Sequence, residues 1–149
     1  MPVAASCNVS PSAKILYPEL VNLYGCSISE HVFIGPFVEI QKNVSVGARS
    51  RVQSHAFICE GVCIGERVFI GHGVIFINDR HPVANNNDWV LEKTVVADDV
   101  SIGSGAIIMC GITIGAGAKI GAGAVVTKTV AAGETVIGMP ARPFYRGKS

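Results

Sequence analysis

An apolar residue recurs at every sixth position along most of this chain. The register holds at Ile28, Ile34, Ile40, Val46, Val52, Ile58, Ile64, Ile70 and Phe76, and it resumes at Val96, Ile102, Ile108, Ile114, Ile120 and Val126. A period of six fits neither the turn of a helix, about 3.6 residues, nor the two-residue alternation of a long strand. It predicts an all-β solenoid, in which each hexad forms one short flat side and three sides close a coil of eighteen residues.

Interruptions of this pattern divide the chain into segments. Residues 1–27 are proline-containing and do not keep the period, so we interpret them as an irregular N-terminal cap. Residues 28–131 predict about five coils, and residues 132–149 predict a short C-terminal extension with a strand-like segment and a basic tail. Together they predict a single β-helix domain over residues 1–149.

One long insertion interrupts the coils. Phe76 and the next hexad residue, Val96, are 20 positions apart, so about fourteen residues are looped out at one corner. The inserted segment, NDRHPVANNNDWVLEKT (78–94), is polar and contains the only tryptophan of the chain. Long loops on a rigid scaffold often carry function, so the sequence predicts a site near this loop.

Composition narrows the function classes. The chain has 149 residues, of which 49% are hydrophobic and 15% charged, yet no apolar run approaches the length of a membrane span. A net charge of +1 argues against a nucleic-acid binder. The first residues lack the features of a signal peptide, and the five cysteines contain no CxxC pair, so we expect a cytoplasmic protein with reduced thiols.

The period also predicts contacts, because residues eighteen apart lie on neighbouring coils, about 4.8 Å from each other. With the loop excised, one column contains Ser54, His72 and Ser104. A second column contains Glu60, Asn78 and Cys110, and a third contains Ala106 and Ala124. We therefore expect the polar and ionisable groups near the loop to cluster.

Several motifs resemble a known family. Uninterrupted hexads, one looped-out insertion, and the endings GAGAVVTK (121–128) and VIGMPAR (136–142) are similar to the hexapeptide-repeat acyltransferases. The resemblance implies a left-handed parallel β-helix, a homotrimer and acyl-CoA, specifically acetyl-CoA, as donor. The left hand rests on the resemblance alone, since parallel crossovers are generally right-handed.

Three stretches resemble a narrower group of enzymes. The segments QSHAFICEGVCIG (53–65), FIGHGVIFINDRHP (69–82) and DWVLEKTVV (88–96) resemble bacterial enzymes that N-acetylate an amino sugar on a nucleotide carrier for surface-polysaccharide assembly. The DRHP stretch is also similar to serine acetyltransferases, whose long helical N-terminal domain is missing here. An O-acetyltransferase acting on a sugar or serine-like hydroxyl, and a non-catalytic β-helix scaffold or binding protein, therefore stay open as alternatives.

Acyl transfer requires a base, stabilisation of the oxyanion and alignment of the acceptor. His72, between two glycines at an outward position, is the candidate general base; the alternative is a corner histidine packed against another subunit. Asn78 is the second catalytic candidate, as an amide that holds the sugar or the oxyanion, although a turn-forming role is equally common for Asn. An amine that arrives neutral needs no base. Candidate substrate-binding residues are His55, Glu60, Asp79, Arg80 and His81.

The resemblance also implies a coenzyme A groove. Small side chains that would leave such a groove open stand at Ser104, Gly105, Ala106, Gly111, Ala122 and Ala124. Lys119, Lys128 and Arg142 are candidates to meet its phosphates, although each alone is equally a solvated surface cation.

We expect a homotrimer and no metal site. Phe33, Phe37, Phe57 and Phe69 are predicted to point outward, too many apolar side chains for a lone soluble prism. The γ-type carbonic anhydrases, which are zinc-binding trimeric β-helices, carry a His-x4-His pair, whereas the position five after His72 is Ile77. We also expect no nucleic acid and no membrane span among the partners.

Overall fold

The computed structural model of the chain describes residues 2–146. It forms a parallel β-helix built from strands of two or three residues. Residues 147–149, the end of the predicted C-terminal extension, lie outside the described residues. Within the described part of the chain, no helix has both the length and the apolar character needed to cross a bilayer.

Each complete coil contributes three strands. The first coil contains β1 (Asn8–Val9), β2 (Lys14–Ile15) and β3 (Asn22–Leu23), with a 3-10 helix at Pro18–Leu20. The second contains β4 (Ser27–Ile28), β5 (Phe33–Ile34) and β6 (Glu39–Ile40), and the third contains β7 (Ser45–Val46), β8 (Arg51–Val52) and β9 (Phe57–Ile58). The fourth contains β10 (Val62–Ile64), β11 (Phe69–Ile70) and β12 (Ile75–Phe76).

The later coils follow the inserted loop. The fifth contains β13 (Thr94–Val96), β14 (Ser101–Ile102) and β15 (Ile107–Ile108), and the sixth contains β16 (Thr113–Ile114), β17 (Lys119–Ile120) and β18 (Val125–Val126). A partial seventh coil contains β19 (Thr135–Ile137), and β20 (Arg142–Pro143) folds back against it.

The strands stack into three sheets. Sheet 1 has the order β1-β4-β7-β10-β13-β16, sheet 2 has β2-β5-β8-β11-β14-β17-β19-β20, and sheet 3 has β3-β6-β9-β12-β15-β18. All neighbours are parallel except β19 and β20. The hexad residues pair with one another, as Ile70 does with Ile102, so that they form one apolar core inside the prism. The predicted all-β solenoid is confirmed.

The prediction of about five coils is too low, since the chain makes about seven turns. Residues 8–23, expected to be part of an irregular cap, form a complete coil. Its pairs are displaced from the eighteen-residue spacing: Asn8 pairs with Ser27, 19 positions on, and Asn22 pairs with Glu39, 17 positions on. This shift of phase hid the first coil from the periodicity. At the other end, β19 pairs in parallel with β17 and so continues the solenoid.

A polar residue, Ser50, is buried in the core four positions after the hexad residue Val46. Ser50 is fully buried, yet its hydroxyl donates to the carbonyl of Gly65 (2.9 Å) and accepts from the amide of Val68 (3.0 Å). A buried hydroxyl with both roles filled avoids most of the cost of desolvation. The two hydrogen bonds of Ser50 join the third coil to the fourth.

Candidate functional site at two corners of the prism

The three sheets meet at three corners, which differ in chemistry. The histidine corner, between sheets 2 and 3, consists of residues 35–37, 53–55, 71–73, 103–105 and 121–123. The loop corner, between sheets 3 and 1, consists of residues 41–43, 59–61, 77–93, 109–111 and 127–129. The charged corner, between sheets 1 and 2, consists of residues 29–31, 47–49, 65–67, 97–99 and 115–117.

Backbone bonds stack the histidine corner in the predicted order. The amide of Gly73 donates to the carbonyl of Ser54 (3.0 Å), and the amide of Gly105 donates to that of His72 (2.8 Å). His72 is exposed, and within residues 2–146 its imidazole has no hydrogen-bond or ion-pair partner. The ring is therefore available to an external ligand.

The two glycines beside His72 have different roles. A Cβ on Gly71 would lie 2.6 Å from the amide nitrogen of Ser104, so only glycine allows the coils to pack this closely. Gly73 adopts the left-handed conformation (φ +65), and apart from its two chain neighbours no residue has an atom within 4 Å of the position of a Cβ. The same holds for Gly105 and Gly123 on the next coils. These three glycines leave an open channel along the corner above His72.

His55 lies one coil below Gly73 in the same corner. Its ring stacks on that of Phe37, with the centroids 4.9 Å apart and the planes inclined by 33°. Both residues are exposed. Phe37 was expected only as part of a subunit interface, although its spacing of eighteen from His55 would have placed it in this column.

Glu60 and Asn78 lie at the loop corner, separated from His72 by the width of sheet 3. Their predicted column is present, since the side-chain amide of Asn78 donates to the carbonyl of Glu60 (3.1 Å). The carboxylate of Glu60 accepts from the amide of Asn43 (3.1 Å) and lies 4.0 Å from the ammonium of Lys42. One subunit therefore does not bring Glu60 to His55 or His72, and the expected single cluster of polar groups is divided between two corners.

The base of the inserted loop is closed by an ion pair. Arg80 Nε and Nη2 each donate to a carboxylate oxygen of Glu92, both at 3.2 Å, and Nη2 also donates to the carbonyl of Cys110 (2.8 Å). The thiol of Cys110 donates to the same carboxylate (3.3 Å). We call this group the loop clamp. Arg80, predicted to bind substrate, has its guanidinium engaged within the protein.

The hydrogen bonds of the loop clamp shift the pKa values of its members. Hydrogen bonds from Arg80, then from Cys110, lower the pKa of Glu92. The pKa of Arg80 is raised by its hydrogen bond to Glu92, and burial followed by the Glu92 bond raises that of Cys110. Gly111 belongs here too, because a Cβ on it would lie 2.9 Å from Glu92 Oε1. Its small size makes room for the loop clamp, on a different corner from the open channel.

The rest of the loop forms a shallow surface pocket of about 140 Å³, whose lining includes Asp79, His81, Asp88 and Trp89. Local turns hold its shape, since the amide of His81 donates to Asp79 Oδ1 (3.1 Å). Asp79 and His81, both predicted to bind substrate, are thus brought together at this pocket. His55, predicted for the same role, lies at the histidine corner instead.

The residues predicted to line a coenzyme A groove are distributed over the molecule. Ser104, Gly105 and Ala122 are exposed at the histidine corner. Ala106 and Ala124 are fully buried in the core, so the expectation that their side chains line an outer groove is wrong. Each is the first residue after a corner (103–105 or 121–123), and its side chain points into the core.

The three candidate cations lie toward the C-terminal end. Lys119 is on the outer face of sheet 2, where it pairs with Ser101 and Thr135. Lys128 and Arg142 line a cavity of about 280 Å³ together with Glu134 and apolar residues of the last coil. Among residues 2–146, no group of three His, Cys, Asp or Glu side chains is placed to hold a metal ion.

Comparisons with known proteins support one family. The model of the bacterial transferase hexapeptide (six repeats) matches residues 25–60 and 93–128. The bifunctional protein GlmU of Blochmanniella pennsylvanica is 37% identical over 113 residues, which are 76% of this chain and 22% of that protein. The UDP-3-O-acylglucosamine N-acyltransferase of a Caulobacter species is 42% identical over 113 residues, 73% of this chain and 33% of the relative. The chain thus spans a third or less of the length of these relatives.

A solved structure has a similar fold. The hexapeptide-repeat acetyltransferase VCA0836 of Vibrio cholerae, complexed with acetyl coenzyme A, superposes with a TM-score of 0.72 at 27% identity. The match covers 88% of this chain and 74% of that protein.

Proposed function

The chain belongs to the bacterial hexapeptide-repeat transferase family, and we propose on this premise that it is an acetyl-CoA-dependent acyltransferase. The proposed acceptor is the amino group of a nucleotide-linked sugar, and the proposed setting is surface-polysaccharide biosynthesis in the cytoplasm. The observation that carries this proposal is the histidine corner, where the exposed His72 stands at the foot of an open channel. A scaffold without catalysis does not require this combination.

The chemistry assigned to this corner is attack of the sugar amine on the thioester carbonyl. The new C–N bond forms as the amine transfers a proton to the His72 imidazole, which acts as general base. Collapse of the tetrahedral intermediate breaks the C–S bond, and the proton passes from the imidazolium to the leaving thiolate, giving free coenzyme A. Ser104, an exposed hydroxyl one coil above His72, is available to donate to the oxyanion.

The channel is assigned to the donor. Pantetheine is a flexible chain of amides, and the space beside Gly105 and Gly123 is free of side chains over two coils. Acetyl-CoA is thus the expected donor. Three cations toward the C-terminal end are proposed to meet the phosphates: Lys119, and Lys128 and Arg142, which share a cavity. No metal takes part in the proposed reaction.

A homotrimer is proposed as the active form. The outer face of sheet 3 carries an apolar ladder of Phe57, Ile75, Ile107 and Val125 on successive rungs. Ile75 is 42% exposed, an unfavourable state for an isolated prism. Because sheet 3 separates the histidine corner from the loop corner, packing between subunits is a route by which Asn78 of one copy would reach His72 of the next.

Subunit mixing tests this arrangement. We expect light scattering to give three copies per particle at micromolar concentration. If the site is shared, mixed trimers of the His72→Ala and Asn78→Ala variants regain part of the activity that each variant lacks alone. A monomer at that concentration would refute the assembly, and mixed trimers without recovered activity would refute the shared site.

The acceptor is tested with a panel of nucleotide-linked amino sugars, free amino sugars, neutral sugars and serine, by detection of the thiol released from acetyl-CoA. Highest turnover with a nucleotide-linked amino sugar supports the proposal. Turnover with serine or neutral sugars alone would establish O-acetylation instead. Thermal stabilisation by acetyl-CoA alone distinguishes a transferase from a scaffold, because a ligand that binds only the folded state raises its stability.

A further inference from the structure

The stacked rings of Phe37 and His55 form an unusual surface feature. Phe37 is 53% exposed and adopts the left-handed backbone conformation (φ 60), which is unfavourable for a bulky side chain. Its main aromatic contact is the imidazole above it, with a centroid distance of 4.9 Å. A large exposed ring that supports a second exposed ring resembles the flat floor of a ligand site more than part of a core.

The stack ends abruptly one coil higher. The next position of the column is Gly73, and apart from its two chain neighbours no residue has an atom within 4 Å of the place where its Cβ would be. Because successive coils are about 4.8 Å apart, the missing side chain leaves a space about one ring thick above the imidazole of His55. We call this space the ring slot. It is bounded below by His55 and lies beside His72, the preceding residue of the same turn.

We propose that the ring slot receives the pyranose ring of the acceptor, with Phe37 and His55 as its floor. This inference rests on the proposed function and adds a specificity determinant to it. A pyranose has a flat face of C–H groups that packs on an aromatic surface, while its hydroxyls remain free to bond to imidazole nitrogen atoms. In the slot, an amino group on the sugar ring is adjacent to His72.

The direction of the channel favours the acceptor over the donor as the occupant of the slot. Above Gly73 the open space continues along Gly105 and Gly123, which suits a linear chain. Below it, the stacked rings close the space with a flat surface. A thioester that descends the channel therefore meets, at the level of His72, a ring held against His55.

Filling the slot is the first test, and the chain contains a matched control. Gly73→Ala places a methyl group in the slot, while Gly117→Ala places one at the charged corner, where φ is +69 and the space is equally open. The two variants share the same backbone strain. We expect Gly73→Ala to raise the acceptor KM about tenfold and to leave the acetyl-CoA KM within about twofold, while Gly117→Ala changes neither.

Removing the floor is the second test. Phe37→Ala is expected to raise the acceptor KM, while Phe37→Tyr keeps it near normal and kcat changes little in both. Phe33→Ala is the control, because Phe33 is an outward ring of sheet 2 covered by the guanidinium of Arg51, 4.3 Å from its centroid. A rise in the acetyl-CoA KM in place of the acceptor KM would assign the slot to the donor and overturn the inference.

A binding measurement separates failure of this inference from failure of the proposed function. The chain has four histidines, so the imidazole signals of His55 are resolvable by NMR after assignment with a His55→Gln variant. UDP-glucosamine added without acetyl-CoA is expected to shift them in the wild type and not in Gly73→Ala. If the protein turns over no sugar, the proposed function fails, yet the same titration still decides whether the slot binds a sugar. Unchanged His55 signals would overturn the inference.

Discussion

Arg80 and Glu92 stand at the two ends of the inserted loop and meet through two nitrogen–oxygen contacts of 3.2 Å each. The same guanidinium reaches the carbonyl of Cys110, so the contact joins the loop to the turn between the fifth and sixth coils as well as to itself. Paired contacts of this kind restrain geometry better than single ones. The loop is therefore held at its base, and residues 81–91 form a segment that is fixed at both ends.

Removing one partner of the loop clamp should loosen the loop without unfolding the solenoid. We expect Glu92→Gln to increase protease cleavage within residues 81–91 and to alter the fluorescence of Trp89, the only tryptophan. The control is Glu66→Gln, which removes an exposed partner of Arg67 at the charged corner (2.9 Å). Equal cleavage of wild type and Glu92→Gln would show that the ion pair does not restrain the loop.

The loop clamp should also respond to acid. Because Arg80 and Cys110 lower the pKa of Glu92 from its ordinary value of 4.5, the folded state favours the ionised carboxylate. Its contribution is fully present above that ordinary value and is lost as the pH falls through the lower pKa of the folded state. Trp89 fluorescence should thus be constant from pH 8 to about pH 5 and change below it. A similar change in Glu92→Gln would assign the transition to other groups.

His72→Ala should lower kcat by about a hundredfold or more if the imidazole is the general base. The trimer and the melting temperature should be unaffected, because the side chain is exposed. His31→Ala is the control, since His31 is an exposed histidine on the charged corner, away from His72. Normal turnover of the His72 variant would indicate that the substrate supplies its own base.

Two alanines separated by one residue should respond oppositely to a large side chain. Ala124 is fully buried, so Ala124→Tyr should destabilise the fold by about 1–3 kcal/mol or more through overpacking. Ala122 is exposed at the histidine corner, so Ala122→Tyr should leave stability nearly unchanged and raise the acetyl-CoA KM. Urea denaturation and steady-state kinetics measure the two effects. Reversed responses would contradict the assignment of these side chains to the core and the channel.

The cysteines should differ widely in reactivity. Cys63 is exposed on sheet 1, whereas burial raises the pKa of Cys26 and of Cys59 to about 12. Since the thiolate is the reactive form, a disulfide reagent at pH 8 should modify Cys63 rapidly and the two buried thiols only on unfolding. A Cys63→Ser variant should lack the rapid phase. Persistence of that phase would mean that another thiol is accessible.

The periodicity predicted the core almost completely because one physical requirement sets it: each short side must bury one residue. Ile70 and Ile102 pair as predicted even though they lie on opposite sides of the insertion. The first coil was missed because the 3-10 helix at Pro18–Leu20 and a change of phase replace the regular spacing there. The hand of the coil does not follow from the period and rests on the family resemblance.

The candidate site was less predictable. Spacing identified the columns that contain His72 and Asn78, but not the corner on which each column lies. That the two columns lie on opposite sides of sheet 3 becomes clear only when successive hexads are assigned in turn to the three sheets. The contact of Glu92 with Arg80 was also missed. Excision of the loop places Glu92 in the column of Glu60, but Arg80 lies within the excised segment and has no register.

The position of the insertion has a consequence for how the chain reaches its native state. Partners on adjacent coils are usually eighteen residues apart, as Phe33 and Arg51 are, whereas Val62 and Thr94, across the loop, are separated by 32. Closing the longer segment costs only about 0.5 kcal/mol more in chain entropy, since the cost grows with the logarithm of length. A corner of such a solenoid can therefore gain or exchange a long segment with little effect on assembly of the coils that follow, so new specificities can arise there without redesign of the core.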